Sequence, residues 1–168
     1  MKNVRYTFMN SPIGSLLLAG DGRRLSRIGF PSGKGFIKPK PEWVLDDAAF
    51  EGTKDQLRAY FNGTRQEFDL PLDLEGTDFQ RDVWQELIRI PFGMTISYGE
   101  LARRIGRLSA SRAVGAANGA NPLPIVIPCH RVIGSNGSLT GFGGGLDTKK
   151  WLLTLERAAV GIDEPRLL

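Results

Sequence analysis

Cys129 and His130 stand side by side, and each is the only residue of its type in the chain. A thiol with a reference pKa of about 8.5 is mostly protonated at neutral pH, so nucleophilic work needs a base or a positive neighbour. His130 and Arg131 supply both kinds of group. A lone cysteine after an apolar run is ordinarily an inert small hydrophobe, and a lone histidine ordinarily a satisfied structural one. Their adjacency at the end of the run Asn121-Pro122-Leu123-Pro124-Ile125-Val126-Ile127-Pro128 favours the chemical reading. Adjacent side chains often point apart, so a bridging water is the expected route for a proton between them, and the histidine then needs an orienting acid.

Other chemistries are limited by composition. One cysteine forbids an intramolecular disulfide, and no Cys/His cluster exists to hold a structural zinc. The glycine-rich run 141–145 lacks the GxxxxGK[ST] pattern and does not follow a strand, which argues against a nucleotide site. No stretch approaches the roughly 18 apolar residues that span a bilayer, so a soluble, cytoplasmic protein without membrane contact is expected. The net charge of +4 decides little alone, but residues 88–131 hold six arginines (Arg89, Arg103, Arg104, Arg107, Arg112, Arg131) against one acid, Glu100. Such a local excess suits phosphate binding, and a solvated helix face accounts for part of it equally well.

The elements that must position these residues read as an α+β chain. Apolar runs at 4–9, 13–19 and 25–30, separated by Ser11-Pro12 and Asp21-Gly22, predict successive antiparallel strands. Residues 31–41, with three prolines, two glycines and three lysines, predict an exposed loop, and residues 48–61 one helix. An extended connector at 70–76 places a boundary near Gly76, giving a small sheet-plus-helix domain over residues 1–76 and a mostly helical one over 77–168.

Thr77 is the expected N-cap of a helix through Ile90, stopped by Pro91. Helices at 97–105 and 109–118 around Gly106-Arg107-Leu108 have the proportions of a helix-turn-helix. In the second of these, Ala110, Ser111, Ala113, Gly115, Ala116 and Ala117 are small and Arg112 is the only long cation. A major-groove reader normally projects several long polar side chains. A smooth helix with one arginine suits a narrow minor groove and a displaced base, while tight helix packing is an equally good account of the small residues. A last helix from about Asp147 puts Glu156 beside an inward apolar stripe, where it needs a partner.

Pro128-Cys129-His130-Arg131-Val132 resembles the active-site signature of the O6-alkylguanine-DNA alkyltransferases. The likeness extends in order and spacing through 79–84, Ser97-Tyr98-Gly99-Glu100-Leu101-Ala102, Arg112-Ala113-Val114-Gly115, Asn121-Pro122, Gly144-Gly145-Leu146, Trp151-Leu152-Leu153 and Glu156, about half the chain. The resemblance implies an RNase H-like N-terminal domain and single-turnover repair. An alkyl group would pass irreversibly from O6-alkylguanine, and from O4-alkylthymine, to Cys129. It makes His130 the base acting through water and Glu156 the acid that orients it. It makes Tyr98 an aid to base rotation and the proton donor to the leaving guanine. Asn121 would join two pieces of the active-site turn and contact the histidine side of the network.

By the same resemblance Arg112 is a finger entering double-stranded DNA from the minor groove, on a helix presenting Ala110, Ser111, Ala113 and Gly115. Pro124, Val126, Phe142, Gly143 and Gly144 would form the substrate pocket. Phe142 stands where many members have tyrosine, and Gly143 where many have serine or alanine, which suggests a roomier pocket. The protein is expected to work as a monomer with no cofactor and no metal. Three other readings stand beside this one: a binding-only protein that flags the lesion, a transcriptional helix-turn-helix module, and a cysteine hydrolase using Cys129, His130 and Glu156.

Overall fold

The computed structural model describes residues 3–162. Three strands, β1 (Arg5–Ser11), β2 (Gly14–Gly20) and β3 (Leu25–Gly29), form an antiparallel meander where the apolar runs predict one. The β1–β2 turn needs Gly14, whose φ of 101° is left-handed and whose missing Cβ would lie 2.8 Å from Pro31 Cγ. A two-residue strand, β4 (Val44–Leu45), adds to β1 in parallel, giving the order β3-β2-β1-β4. It is too short for a periodic signal and was not expected.

Strand β2 is apolar almost without alternation because both faces of the sheet are covered. Leu16 and Leu18 face the main core, while Leu17 and Ala19 meet Val4, Tyr6, Ile37 and Trp43 from the outer side. Helix α1 (Glu51–Phe61) lies on the core side with Leu57 and Tyr60 fully buried. The expected connector is pinned to the start of β3: Leu25 N–H donates to Pro71 O at 2.9 Å, and Asp73 N–H to Leu25 O at 2.9 Å.

Helix α2 (Asp78–Ile88) begins on the expected Thr77, which forms a reciprocal capping box with Gln80. Helix α3 (Tyr98–Arg104) is capped by Ser97, and a 3-10 turn (Leu108–Ala110) leads to α4 (Ser111–Gly119). Trp84 of α2 is buried and donates its indole N–H to Ala117 O at 2.8 Å, which locks α4 against the core. Helix α5 (Leu146–Ala159) closes the described chain.

Two further two-residue strands, β5 (Ile96–Ser97) and β6 (Val132–Ile133), pair in parallel. Because the pair is parallel, Tyr98, which follows β5, stands level with Gly134, which follows β6, while the 3-10 turn Cys129–Arg131 leads into the other end of the ladder. Residues from the sheet, α1 and all four later helices share one continuous buried cluster.

Candidate active site

Residues 121–128 fold into a tight turn that delivers the thiol. Asn121 holds it from inside: its Nδ2 donates to Ile127 O at 2.8 Å, and its Oδ1 accepts from Leu123 N–H at 2.9 Å. Ile127 N–H donates back to Leu123 O at 2.8 Å. At the centre of the turn Ile125 has φ 75°, a costly conformation for a β-branched residue that these bonds over-determine. Cys129 then sits at the base of a cleft of about 670 Å3, only 7% exposed. Burial pushes its thiol up to about 11, while the Asn121 side chain, the charge of Lys149 and a backbone hydrogen bond pull the other way. A thiol so placed needs a base.

His130 is completely buried and its Nε2 lies 2.6 Å from Glu156 Oε2. The same oxygen accepts from Tyr60 Oη at 2.6 Å and from Arg131 Nη2 at 3.1 Å. Glu156 Oε1 accepts from Arg131 Nε at 2.8 Å and from Gly93 N–H at 3.1 Å. Burial alone raises the carboxyl, but the charges and hydrogen bonds of His130 and Arg131 outweigh it and hold the group well below the usual carboxylate range. Burial lowers the proton affinity of His130, as do Arg131 and Lys149, against the pull of Glu156. An ionised Glu156 and a neutral imidazole fit these directions. The network then assigns the ring proton to Nε2 and leaves a lone pair on Nδ1, which meets no protein partner among the described residues.

Arg131 is therefore not the phosphate-binding cation that its place in the arginine-rich stretch suggested. It is 5% exposed, donates to Ile90 O at 2.6 Å as well as to Glu156, and lies over the Phe92 ring. The other arginines divide similarly. Arg103 and Arg104 share Glu100 at 2.7 and 2.9 Å, Arg89 meets Glu86 at 3.5 Å, and Arg107 lies over the Phe79 ring. Arg112 is exposed on α4 and makes no ion pair among the described residues.

The residues of α4 divide between two faces. Val114, Ala117 and Asn118 pack inward, whereas Ser111, Arg112, Ala113 and Ala116 face out and Ala110 is half-buried at the helix start. Gly115 and Gly119 line the Cys129 cleft, and a Cβ on either would meet no atom within 4 Å. Internal packing does not require those glycines. Tyr98 also lines the cleft, its hydroxyl accepting from Thr140 Oγ1 at 2.8 Å.

Of the expected pocket residues, Pro124, Phe142 and Gly143 line the cleft. Val126 and Gly144 are not among its lining residues. Val126 lies on a separate groove with Phe68, Phe92 and Pro128, and Gly144 is covered by Phe30, whose ring would be 2.9 Å from a Cβ there. Gly143 has a different reason to be small: a Cβ would stand 3.3 Å from Gly35 Cα, and Gly143 O accepts from Gly35 N–H at 2.8 Å. The space that its missing side chain leaves is taken by the loop after β3. Asn121, for its part, reaches Ile127, Leu123 and the thiol, and no bond to His130 accompanies these.

Two contributions were missed in the sequence. Lys149 is fully buried, donates to Val132 O at 2.7 Å and Thr140 O at 3.2 Å, and is brought down to about 8 by desolvation against the opposing pull of Cys129. The signal was present, since Lys149, Leu152, Leu153 and Glu156 share one inward helical stripe. The other is the wall supplied by the N-terminal part, where Arg27, Ile28, Phe30, Lys34, Gly35 and Ile37 line the cleft. No local pattern announces it.

Two family descriptions match the chain: "6-O-methylguanine DNA methyltransferase, ribonuclease-like domain" over residues 4–74 and "6-O-methylguanine DNA methyltransferase, DNA binding domain" over residues 78–158. A methylated-DNA–protein-cysteine methyltransferase of Mycobacterium tuberculosis strain H37Rv is 49% identical over 160 residues, 95% of this chain and 96% of that one. Its namesake in Methanosarcina acetivorans is 50% identical over 151 residues, 90% of this chain and 97% of that one. Among solved structures, M. tuberculosis OGT in complex with DNA superposes with a TM-score of 0.87 at 50% identity, over 92% of this chain and 94% of that one. With both descriptions matched in order and close relatives aligned along almost their whole length, the chain belongs to the 6-O-methylguanine DNA methyltransferase family, the methylated-DNA–protein-cysteine methyltransferases of direct-reversal DNA repair.

Proposed function

We propose that Cys129 is the acceptor in this repair reaction, taking the alkyl carbon from O6-alkylguanine in double-stranded DNA. The observation that carries the assignment is the buried His130–Glu156 bond of 2.6 Å directly behind a thiol that opens on the cleft. In the reaction Cys129 Sγ attacks the carbon on O6 in line with the C–O bond. The S–C bond forms, the C–O bond breaks, and guanine leaves with the bonding electron pair. The thiol proton passes through a bridging water to His130 Nδ1, whose lone pair Glu156 fixes by holding Nε2–H. Tyr98 donates its hydroxyl proton to a ring nitrogen of the departing guanine, so that a neutral base leaves. The thioether has no route back to a thiol, so each molecule acts once.

Helix α4 carries the interface in this reading. Arg112 enters the minor groove and fills the space of the rotated nucleotide, while Ala110, Ser111, Ala113 and Gly115 allow the backbone to approach closely. Pro124, Phe142 and Gly143 line the pocket that receives the base, and Asn121 keeps the turn before Cys129 in shape. O4-alkylthymine offers the same displacement chemistry and is a second substrate.

We divide the chain near Gly76 into domains of residues 1–76 and 77–168, in line with the two matched descriptions; residues 1–2 and 163–168 lie outside the described part. All of the site's residues come from one chain, which suits a monomer. A free thiol suits a reducing compartment such as the cytoplasm, and no described helix is long and apolar enough to cross a membrane.

The test is intact mass after mixing the protein with a duplex carrying one O6-methylguanine, beside a Cys129→Ala control. One added methylene mass per protein, and none in the control, is expected. Tight binding to the lesion without a mass change would overturn transfer and leave lesion flagging in its place.

A further inference from the structure

The Glu156 carboxylate receives five hydrogen bonds, and the one from furthest along the chain comes from the N-terminal part. Tyr60, at the end of α1, is completely buried, and its hydroxyl donates to Glu156 Oε2 at 2.6 Å. That is the oxygen which also holds His130 Nε2 at 2.6 Å. The ring is fixed on three sides by Phe61, Phe68 and Phe92, with centroids 5.5, 5.5 and 5.9 Å away, so the hydroxyl has little freedom to turn elsewhere. Burial first, and then the negative charge of Glu156, raise the phenol well above its ordinary value, which keeps it neutral and a donor.

We infer that Tyr60 is a positioning residue of the alkyl-transfer site, which sets the basicity of His130 by sharing Glu156 Oε2 with it. The inference rests on the proposed relay. A carboxylate oxygen has limited acceptor capacity, and each donor it takes withdraws charge from the others. With Tyr60 in place, the pull of Glu156 on an imidazolium is moderated, and His130 remains a neutral base at working pH. Without the hydroxyl, Glu156 faces His130 with its charge less divided, and the imidazole holds a proton more tightly. Among the described residues, the charged groups bearing on His130 are Glu156 and Lys149 from α5 and Arg131 from its own turn, where the Cys129 thiol is its neighbour, and Tyr60 from α1 acts through Glu156. The N-terminal part thus acts on the chemistry as well as lining the cleft.

His130 is the only histidine, so its ring nitrogens can be read by NMR in 15N-histidine-labelled protein without an assignment problem. Tyr60→Phe removes the hydroxyl and keeps the ring. The imidazole titration is expected to move upward by about 0.5–1 pH unit, a roughly 3–10-fold rise in proton affinity. The acid limb of the single-turnover rate should move with it. Phe68→Leu weakens the same aromatic packing without touching the carboxylate, so it should lower the unfolding midpoint and leave the titration in place. An unmoved titration in Tyr60→Phe, or an equal shift in both variants, would overturn the inference and leave Tyr60 a packing residue. The NMR reading needs no DNA and no transfer, so a failure of the wild-type protein to gain a methyl group would count against the proposed function alone.

Discussion

Glutamine at position 156 tests the buried network with almost no change of shape. The carboxylate is completely buried and accepts Tyr60 Oη, His130 Nε2 and Arg131 Nη2 on one oxygen, and Arg131 Nε and Gly93 N–H on the other. An amide supplies one accepting oxygen. If it takes the Oε2 position, its NH2 confronts two donors, Arg131 Nε and Gly93 N–H. If it takes the Oε1 position, His130 can answer only by giving up its Nε2 proton, which protonates Nδ1 and removes the base.

In both placements Arg131, 5% exposed, loses its counter-ion. Breaking a buried pair in this way costs about 3–5 kcal/mol, against a total stability of about 5–15 kcal/mol for a domain. Glu156→Gln is therefore expected to lose about a fifth or more of the stability, read as the shift in urea unfolding followed by tryptophan fluorescence. The sign with pH follows from the depressed folded-state value of Glu156. Its stabilisation is complete above the unfolded value of about 4.3 and is lost as pH falls below it, so the gap between wild type and variant should close in strong acid. The lowered value of His130 works in the same direction from about pH 6.5 downward, and in both proteins. A gap below about 1 kcal/mol at pH 7, or one that persists unchanged to pH 3, would refute the reasoning.

Two other substitutions separate surface from site. Arg112→Ala should change stability by less than about 0.5 kcal/mol, since the side chain is exposed. It should slow single-turnover methyl transfer from duplex DNA at least tenfold while sparing reaction with free O6-benzylguanine; equal slowing on both substrates would remove the finger role. Gly35→Ala places a Cβ 2.6 Å from the Phe30 ring and 2.9 Å from the backbone of Gly143. The contact between the loop after β3 and the cleft wall must then give, costing about 1–3 kcal/mol in thermal unfolding, and the ratio of benzyl to methyl transfer should change. An unchanged ratio would mean that this contact does not shape the pocket.

Much of the molecule was legible in its sequence because the governing forces are local. Apolar runs between turn residues marked β1 to β3, Thr77 marked the start of α2, and Gly106 separated the two helices of the DNA-binding motif. The Cys129–His130 pair, and Glu156 on an inward stripe, pointed to the proposed site once the signature around them was recognised, and the structure brings His130 and Glu156 together. The tertiary structure decided which partners those residues would meet. Arg131 reads as a surface cation until folding buries it on Glu156. Lys149 drew no reading in the sequence, and the stripe of α5 carries it inward to Val132 O and Thr140 O. Gly143 reads as a gap in the pocket wall until Gly35 fills it. Tyr60 is 96 residues from Glu156. Periodicity states which face of an element turns inward, but the oxygen that a buried donor reaches depends on how separate elements stack, and only the packed core fixes that.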